Sequence, residues 1–152
     1  MLILASASPR RKILLKHIVD NFLVIPSTSE EIVPDDTPIE KIPLLLSLQK
    51  AQSVFTKYDE STVIGSDTIV TINNKVIYKP KDINQEIEIL HELSNNANEV
   101  ITGVTIINKN ETVSYIEKSK VYRFMEDYDK SLKALNTASF AAKYKSACFS
   151  LV

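Results

Sequence analysis

Short apolar runs alternate with helix-like periodicity at the start of the chain. Residues 2–5 are wholly apolar, which is typical of a buried strand. Ser8 and Pro9 then favour a helix start, because serine is a good N-cap and proline fits the first helical position. Residues 22–25 predict a second strand. The predicted helix between the two strands has three apolar residues on one face, namely Ile13, Leu14 and Ile18.

A polar and acidic stretch over residues 27–36 predicts a loop. Residues 37–40 resemble a capping box, which would start a helix there. Pro43 interrupts that pattern, because a proline inside a helix costs about 3 kcal/mol. We therefore expect the helix to begin near Pro43, and its apolar pattern continues to about residue 57.

The middle of the chain has the pattern of a strand followed by a hairpin. Residues 62–65 predict a buried strand, and Asp67 comes directly after it, with further strand pattern at 68–72. This places Asp67 at a carboxyl strand end, where α/β proteins usually bind ligands. Residues 73–74 are two asparagines that favour a hairpin turn into a strand at 76–78.

Two long strands dominate the pattern that follows. A second capping box at 82–85 predicts a helix, and strands are predicted at 100–107 and 111–122. A short helix is predicted at 127–135. Alternating strands and helices followed by long strands favour a mixed α/β fold, in which helices flank a twisted mixed sheet.

Composition narrows the class of protein. With 152 residues, 44% of them hydrophobic, the chain fits one domain over 1–152. The formal net charge of −1 gives no global basic field for nucleic acid or an acidic membrane. No apolar run approaches the ~18–20 residues that span a bilayer. The single cysteine, Cys148, cannot form an internal disulfide, so nothing points to an oxidising compartment and we expect a cytoplasmic protein. From the net charge and the absence of a long apolar run we expect no nucleic-acid or membrane partner.

A basic cluster surrounds the first predicted helix start. Ser6, Ser8, Arg10, Arg11 and Lys12 follow one another at the end of a strand. Free backbone N–H groups and cations at a helix N-terminus form an anion site, and arginine can grip phosphate with two hydrogen bonds. A helix cap followed by a solvated basic face explains the same residues, so both interpretations stay open.

Carboxylates and lysines elsewhere in the chain could complete such a site. Asp67 could hold Mg²⁺ or deprotonate a water. Of the adjacent Glu30 and Glu31 only one is expected to face a site, because neighbouring side chains point in different directions. Lys50 and Lys79 could neutralise phosphate charge. For each of these residues an ordinary turn, loop or surface role remains the alternative.

Other kinds of site are disfavoured. His17 and His91 have no second imidazole or cysteine at ligand spacing, so neither is expected to bind a metal. The chain has two glycines, Gly65 and Gly103, and therefore no glycine-rich phosphate loop.

Taken in order, these motifs resemble the Maf family of nucleoside triphosphate pyrophosphatases. Residues 2–11 match its opening signature and residues 64–70 its central motif, with the sequences LILASASPRR and IGSDTIV. Shorter motifs at the positions that the family pattern expects lie at 49–51, 79–80, 102–104 and 145–151.

The resemblance implies a function and a fold. Family members split a nucleoside triphosphate into the monophosphate and pyrophosphate, using Mg²⁺ or Mn²⁺. Their fold is mixed α/β with a cleft between two lobes, related to that of inosine triphosphatases. Residues 9–11 and 67–68 are closer to members that act on dTTP and UTP. Members often dimerise, so a homodimer is one expected assembly.

The resemblance also assigns roles to residues. Asp67 corresponds to the catalytic aspartate, which would bind the metal or activate the attacking water. Glu31 corresponds to a loop glutamate that is a second metal or water ligand. The positions implied to bind substrate are Ser6, Ser8, Arg10, Arg11, Lys50 and Lys79.

The chain departs from the family pattern in several places. Asn98 stands where the family has a histidine, and the family's C-terminal part beyond Val152 is not in this sequence. The strand-like residues 147–152 would need a pairing partner, so we expect the fold to continue or a partner to complete it. One alternative is therefore a truncated relative that binds nucleotide or regulates cell division without catalysis. A nucleic-acid-binding module is a weaker alternative, given the net charge.

Overall fold

The protein is described by a computed structural model over residues 1–93 and 96–122. The order of its elements is β1 (Leu2–Leu4), α1 (Pro9–Lys16), β2 (Leu23–Val24), a 3-10 turn (Ile39–Lys41), α2 (Ile42–Phe55), β3 (Thr62–Ile72), β4 (Lys75–Ile77), α3 (Ile83–Leu93), β5 (Ala97–Ile107) and β6 (Thr112–Tyr122). The helices and strands predicted from the sequence in these ranges are present, with ends that differ by a few residues.

The strands form one mixed sheet. Its order is β2-β1-β3-β5-β6, and β4 pairs with β3 outside this path. β1 is parallel to both β2 and β3, with Ile3 opposite Leu23 and Val63, whereas β3 and β4 are antiparallel. The predicted mixed α/β fold is thereby confirmed.

The chain divides into two compact units. Unit 1 comprises Met1–Ile69 and Ile101–Lys118, and the described part of unit 2 comprises residues 70–93, 96–100 and 119–122. Each unit has its own apolar cluster. That of unit 1 contains Ile3, Ala5, Ala51, Val54, Val63 and Ile107, and that of unit 2 contains Val70, Ile72 and Leu93. The prediction of one domain with a cleft between lobes stays a prediction.

The start of α1 follows the sequence prediction. Ser8 is the N-cap in an extended conformation, and Pro9 occupies the first turn. None of the residues of α1 is buried. The apolar face predicted for this helix is correspondingly exposed, with Ile13 59% and Leu14 58% accessible.

Helix α2 begins at Ile42 with Pro43 in its first turn, which confirms the predicted start. The capping box predicted at residues 37–40 was wrong. Pro38 precedes a 3-10 turn there and no side chain caps it. The reason is that Pro43 can enter a helix only in the first turn, where its missing N–H has no partner to lose.

The backbone of α2 lies directly against β3 and β5. A Cβ atom built at Gly65 would stand 2.7 Å from the Ala51 nitrogen, and one at Gly103 would overlap Pro43. Side chains wider than hydrogen would push the helix away at both places. Fully buried Ser47 adds a hydrogen bond from α2 to β5, with its Oγ 2.8 Å from the Thr105 Oγ1. Helix α2 is therefore packed closely against β3 and β5 within unit 1.

Unit 2 contains the predicted hairpin turn and one of the two hydrogen bonds of the predicted capping box. Asn73 and Asn74 have φ values of 49° and 61°, as a two-residue hairpin turn requires. At the start of α3 the Oδ1 of Asp82 accepts from the Gln85 N–H at 2.9 Å. The Gln85 side chain reaches back to the N–H of Lys81, one residue before the standard partner in a capping box.

The predicted helix at 127–135, the strand-like residues 147–152 and Cys148 lie outside the described residues. Within the described ranges, no helix is both long and apolar enough to cross a membrane.

Candidate active site

Two serines and an arginine build the turn after β1. The Oγ of buried Ser6 accepts hydrogen bonds from the Ser8 N–H at 3.2 Å and from the Arg11 Nη1 at 3.3 Å. The Oγ of Ser8 accepts from the Arg11 backbone N–H at 3.4 Å. Both hydroxyls thus hold the turn and orient Arg11, while their predicted contact with phosphate stays a prediction.

Thr68, which is itself hydrogen-bonded to Thr102, holds the other edge of the Arg11 guanidinium. Its Nη2 donates to the Thr68 Oγ1 at 3.2 Å, and that oxygen lies 3.1 Å from the Thr102 Oγ1. Arg11 is therefore gripped by Ser6 from its own turn and by Thr68 from β3. Such fixing lowers the entropy that the guanidinium would lose on binding an anion.

The electrostatic surroundings of Arg11 connect it to the carboxylates. Burial lowers the pKa of the Arg11 guanidinium, and the Asp67 carboxylate opposes that shift; Arg10 lowers the pKa further and Glu31 raises it. An arginine keeps its charge at physiological pH in any case. The shifts therefore show a cation within electrostatic reach of both carboxylates.

Lys50 bridges these two carboxylates. Its Nζ lies 2.9 Å from the Glu31 Oε1 and is hydrogen-bonded to the Asp67 Oδ1. The side chains of Lys50 and Asp67 are only 15% and 12% exposed, while that of Glu31 is 53% exposed. A charge buried to this extent needs a partner, because leaving water is costly for an unpaired ion. The structure thus brings Lys50, Asp67 and Glu31 together.

Asp67 lies in the middle of β3, whereas the sequence pattern placed it after a strand end. β3 runs from Thr62 to Ile72, which confirms the predicted strand over residues 68–72, whereas the placement of Asp67 at a strand end was wrong. Asp67 and Thr68 interrupt the apolar pattern but not the strand, because each polar side chain is hydrogen-bonded to another side chain. Asp67 contacts Lys50, and Thr68 contacts Thr102.

Glu31 and Asp67 have the chemistry of a magnesium or manganese site. Their carboxylates converge on the same Lys50 nitrogen, so they lie close enough to share a cation. Mg²⁺ typically takes one or two carboxylates and completes its shell with water and phosphate oxygens. The donor set therefore fits a metal bound together with a phosphate ligand. In the described part of the chain, no group of three or more His, Cys, Asp or Glu side chains could hold a metal.

The other predicted site residues lie as follows. Arg10 is half-buried beside Arg11 at the start of α1, and Glu30 is exposed while Glu31 contacts Lys50. Lys79 is exposed in unit 2, after β4. Its predicted role in phosphate binding stays a prediction.

Sequence reasoning gave no role to Thr68, Thr102 or Gln49. Thr68 and Thr102 each lie within a motif that carried the resemblance, but they are 34 residues apart and no pattern pairs them. Gln49 binds the backbone of the loop that carries Glu31. Two signals pointed to Gln49, namely its place in the 49–51 motif and its position beside Lys50 on a mostly apolar helix.

Comparison with known proteins decides the family. The family model for Maf-like proteins matches residues 1–146. The chain belongs to the Maf-like family. The predicted resemblance is therefore confirmed over nearly the whole chain.

Relatives of this Maf-family chain carry a common name. It is 42% identical over 119 residues to a protein of Bacillus cytotoxicus named dTTP/UTP pyrophosphatase, covering 78% of this chain and 62% of that protein. A protein of the same name from Ruminiclostridium cellulolyticum is 38% identical over 136 residues, covering 88% and 70%. The chain thus spans less than two thirds of the length of the Bacillus cytotoxicus relative that it matches.

Solved structures support the fold alone. The Staphylococcus aureus Ham1 protein matches with a TM-score of 0.57 at 17% identity, covering 80% of this chain and 70% of that one. A HAM1 protein from Coxiella burnetii matches with a TM-score of 0.54 at 15% identity, covering 80% and 71%. Both likenesses agree with the mixed α/β architecture.

Proposed function

We propose that this Maf-family chain is a nucleoside triphosphate pyrophosphatase that acts on a substrate of the dTTP or UTP type. The observation that carries the proposal is the cluster in which Lys50 contacts both Asp67 and Glu31, with Arg11 within electrostatic reach. The names of the relatives supply the reaction class and the bases. The cluster supplies the groups that such a reaction needs.

The residues of this chain would supply charge neutralisation and proton transfer. Arg11 and Lys50 are fixed cations that would stabilise the negative charge on the leaving pyrophosphate. The Asp67 carboxylate would take a proton from the attacking water. The water oxygen bonds to phosphorus, the link between the α- and β-phosphates breaks, and the monophosphate and pyrophosphate leave.

The divalent metal of the proposal, Mg²⁺ or Mn²⁺, would be held by Asp67 and Glu31. When bound, it would polarise a phosphoryl oxygen and neutralise part of the triphosphate charge. Lys50 contacts the same carboxylates and would keep their charges balanced. The exposed side of Glu31 leaves this carboxylate accessible to an incoming ligand.

A panel of nucleoside triphosphates tests the proposed function. We expect purified protein with Mg²⁺ or Mn²⁺ to release pyrophosphate, fastest from dTTP and UTP, and to lose activity when the metal is chelated. Faster release from a purine triphosphate would contradict the base preference. Nucleotide binding seen by calorimetry without any product would instead support the non-catalytic alternative.

Replacing Thr68 by Val should weaken the hold on Arg11. The change keeps the side-chain shape but removes the oxygen that accepts from the Arg11 Nη2. Since a hydrogen bond to a charged group is worth about 1.5–3 kcal/mol, we expect KM to rise about tenfold or more. Thr68→Ser keeps the hydroxyl and serves as the matched control. Equal KM values for the two variants in steady-state kinetics would argue against this role of Thr68.

The setting and assembly of the enzyme are part of the proposal. We place it in the cytoplasm, with a nucleoside triphosphate rather than nucleic acid or a membrane as its partner, on the basis of its composition and charge. A homodimer is the assembly to be tested, by sedimentation of the purified protein.

A further inference from the structure

Glu31 is carried by a loop without helix or strand. Residues 25–38 connect β2 to the 3-10 turn, and no regular element is assigned within them. A free loop of this length samples many conformations, so an ordered position for Glu31 must be stabilised by contacts that offset the entropy. Those contacts come from helix α2.

One side chain of α2 binds both backbone groups of a single loop residue. The Oε1 of Gln49 accepts from the Ile32 N–H at 3.1 Å, and the Nε2 of Gln49 donates to the Ile32 carbonyl at 2.6 Å. The amide therefore pairs with the peptide as a neighbouring β-strand would. This fixes both the position and the rotation of the backbone directly after Glu31.

The same helix provides a rigid base for this pairing. Helix α2 is pressed against the sheet at Gly65 and Gly103, where added Cβ atoms would collide with it. One turn further along, the Ser53 Oγ lies 2.8 Å from the Ser27 Oγ and so anchors the start of the loop. A loop tied at these points to a closely packed helix is held relative to Asp67.

The Lys50 ion pair alone does not provide this placement. The Glu31 side chain is 53% exposed, and an ion pair with an exposed partner contributes little stabilisation. The two Gln49 hydrogen bonds are exposed as well, but they hold the loop backbone itself, whereas the ion pair holds only the end of the Glu31 side chain. Placement matters because a displacement of about 1 Å can cost about a hundredfold in rate.

We propose that Gln49 is a positioning residue, which sets Glu31 beside Lys50 and Asp67 by holding the backbone of Ile32. The proposal rests on the proposed function, because it is hydrolysis that gives the placement of Glu31 its importance. Gln49 itself does not contact either carboxylate in this scheme and acts only through the loop.

Gln49→Met is the informative variant, because methionine has a similar length and no amide. Gln52→Met is the matched control, since Gln52 is exposed on the same helix. Glu31→Gln provides the background that separates positioning from general stability. If Gln49 acts through Glu31, the loss caused by Gln49→Met should largely disappear once Glu31 has been replaced.

Two measurements test the proposal. In hydrogen exchange of the intact protein, Gln49→Met should accelerate exchange in the peptide covering residues 27–36, while Gln52→Met leaves it unchanged. In kinetics with dTTP and Mn²⁺, Gln49→Met should lower kcat/KM about tenfold in the wild-type background and less than about twofold with Glu31→Gln.

The outcomes distinguish this proposal from the proposed function. Unchanged loop exchange in Gln49→Met would overturn the proposal that Gln49 holds the loop, whatever the turnover. An equal kinetic loss in both backgrounds would show that Gln49 does not act through Glu31. A wild-type protein without turnover would contradict the proposed function, while the exchange result would still decide whether Gln49 holds the loop.

Discussion

Asp67→Asn is expected to lower the rate of pyrophosphate release about 10²–10⁴-fold, the usual scale for losing a general acid–base group. Asparagine keeps the shape of the side chain but cannot take the proton of the attacking water. It also removes one of the two carboxylates that contact Lys50. Because both the base and a proposed metal ligand are lost, this is the largest catalytic effect that we expect.

Two controls make this result interpretable. Asp59→Asn changes the same group on an exposed turn and should leave the rate unchanged. Circular dichroism should show that the Asp67→Asn protein is folded at the assay temperature, since Lys50 keeps its contact with Glu31. A folded variant with the wild-type rate would remove Asp67 from the mechanism.

Gly65→Ala should have the largest effect on stability. The added Cβ would lie 2.7 Å from the Ala51 nitrogen and closer still to the Ser47 carbonyl oxygen, both of which belong to the backbone of α2. Backbone atoms cannot swing aside, so the helix or the strand must move. We expect the free energy of unfolding to fall by about 3 kcal/mol, at the upper end for overpacked sites.

Thermal unfolding checks this prediction. A loss of this size should lower the melting temperature by about 10 °C for a chain of this length. Gln52→Ala, on the exposed side of the same helix, should change it by little. Turnover should also fall in Gly65→Ala, because α2 carries Lys50. A melting temperature equal to that of the wild type would contradict the close seating of α2 on β3.

Helix starts and turns were predictable from the sequence, because they depend on residues that are close together along the chain. Ser8 and Pro9 specify a helix start through the backbone groups beside them, and the structure has that start. The asparagine pair at 73–74 tolerates positive φ, and both residues adopt it. Pro43 likewise decided between a helix start at residues 37–40 and one near Pro43, because proline fits only the first turn of a helix.

The contacts that assemble the site were not predictable from pattern. Lys50 has the sequence context of a surface lysine, yet its burial depends on two carboxylates that lie far from it along the chain. In sequence, Asp67 has the pattern of a residue that follows a strand. It lies within β3 because its carboxylate is paired with Lys50, a tertiary contact that the pattern does not contain. Family resemblance located both residues, and it gave no role to Thr102 or Gln49, whose partners are set by the fold.

The products of dTTP hydrolysis show whether this chain breaks the bond between the α- and β-phosphates. Purified protein should be incubated with dTTP and Mg²⁺ and followed by phosphorus NMR, with the Asp67→Asn variant in parallel. We expect thymidine monophosphate and pyrophosphate in equal amounts from the wild type, and unchanged dTTP from the variant over the same time. Thymidine diphosphate with orthophosphate, or unchanged dTTP with a folded wild-type protein, would contradict it.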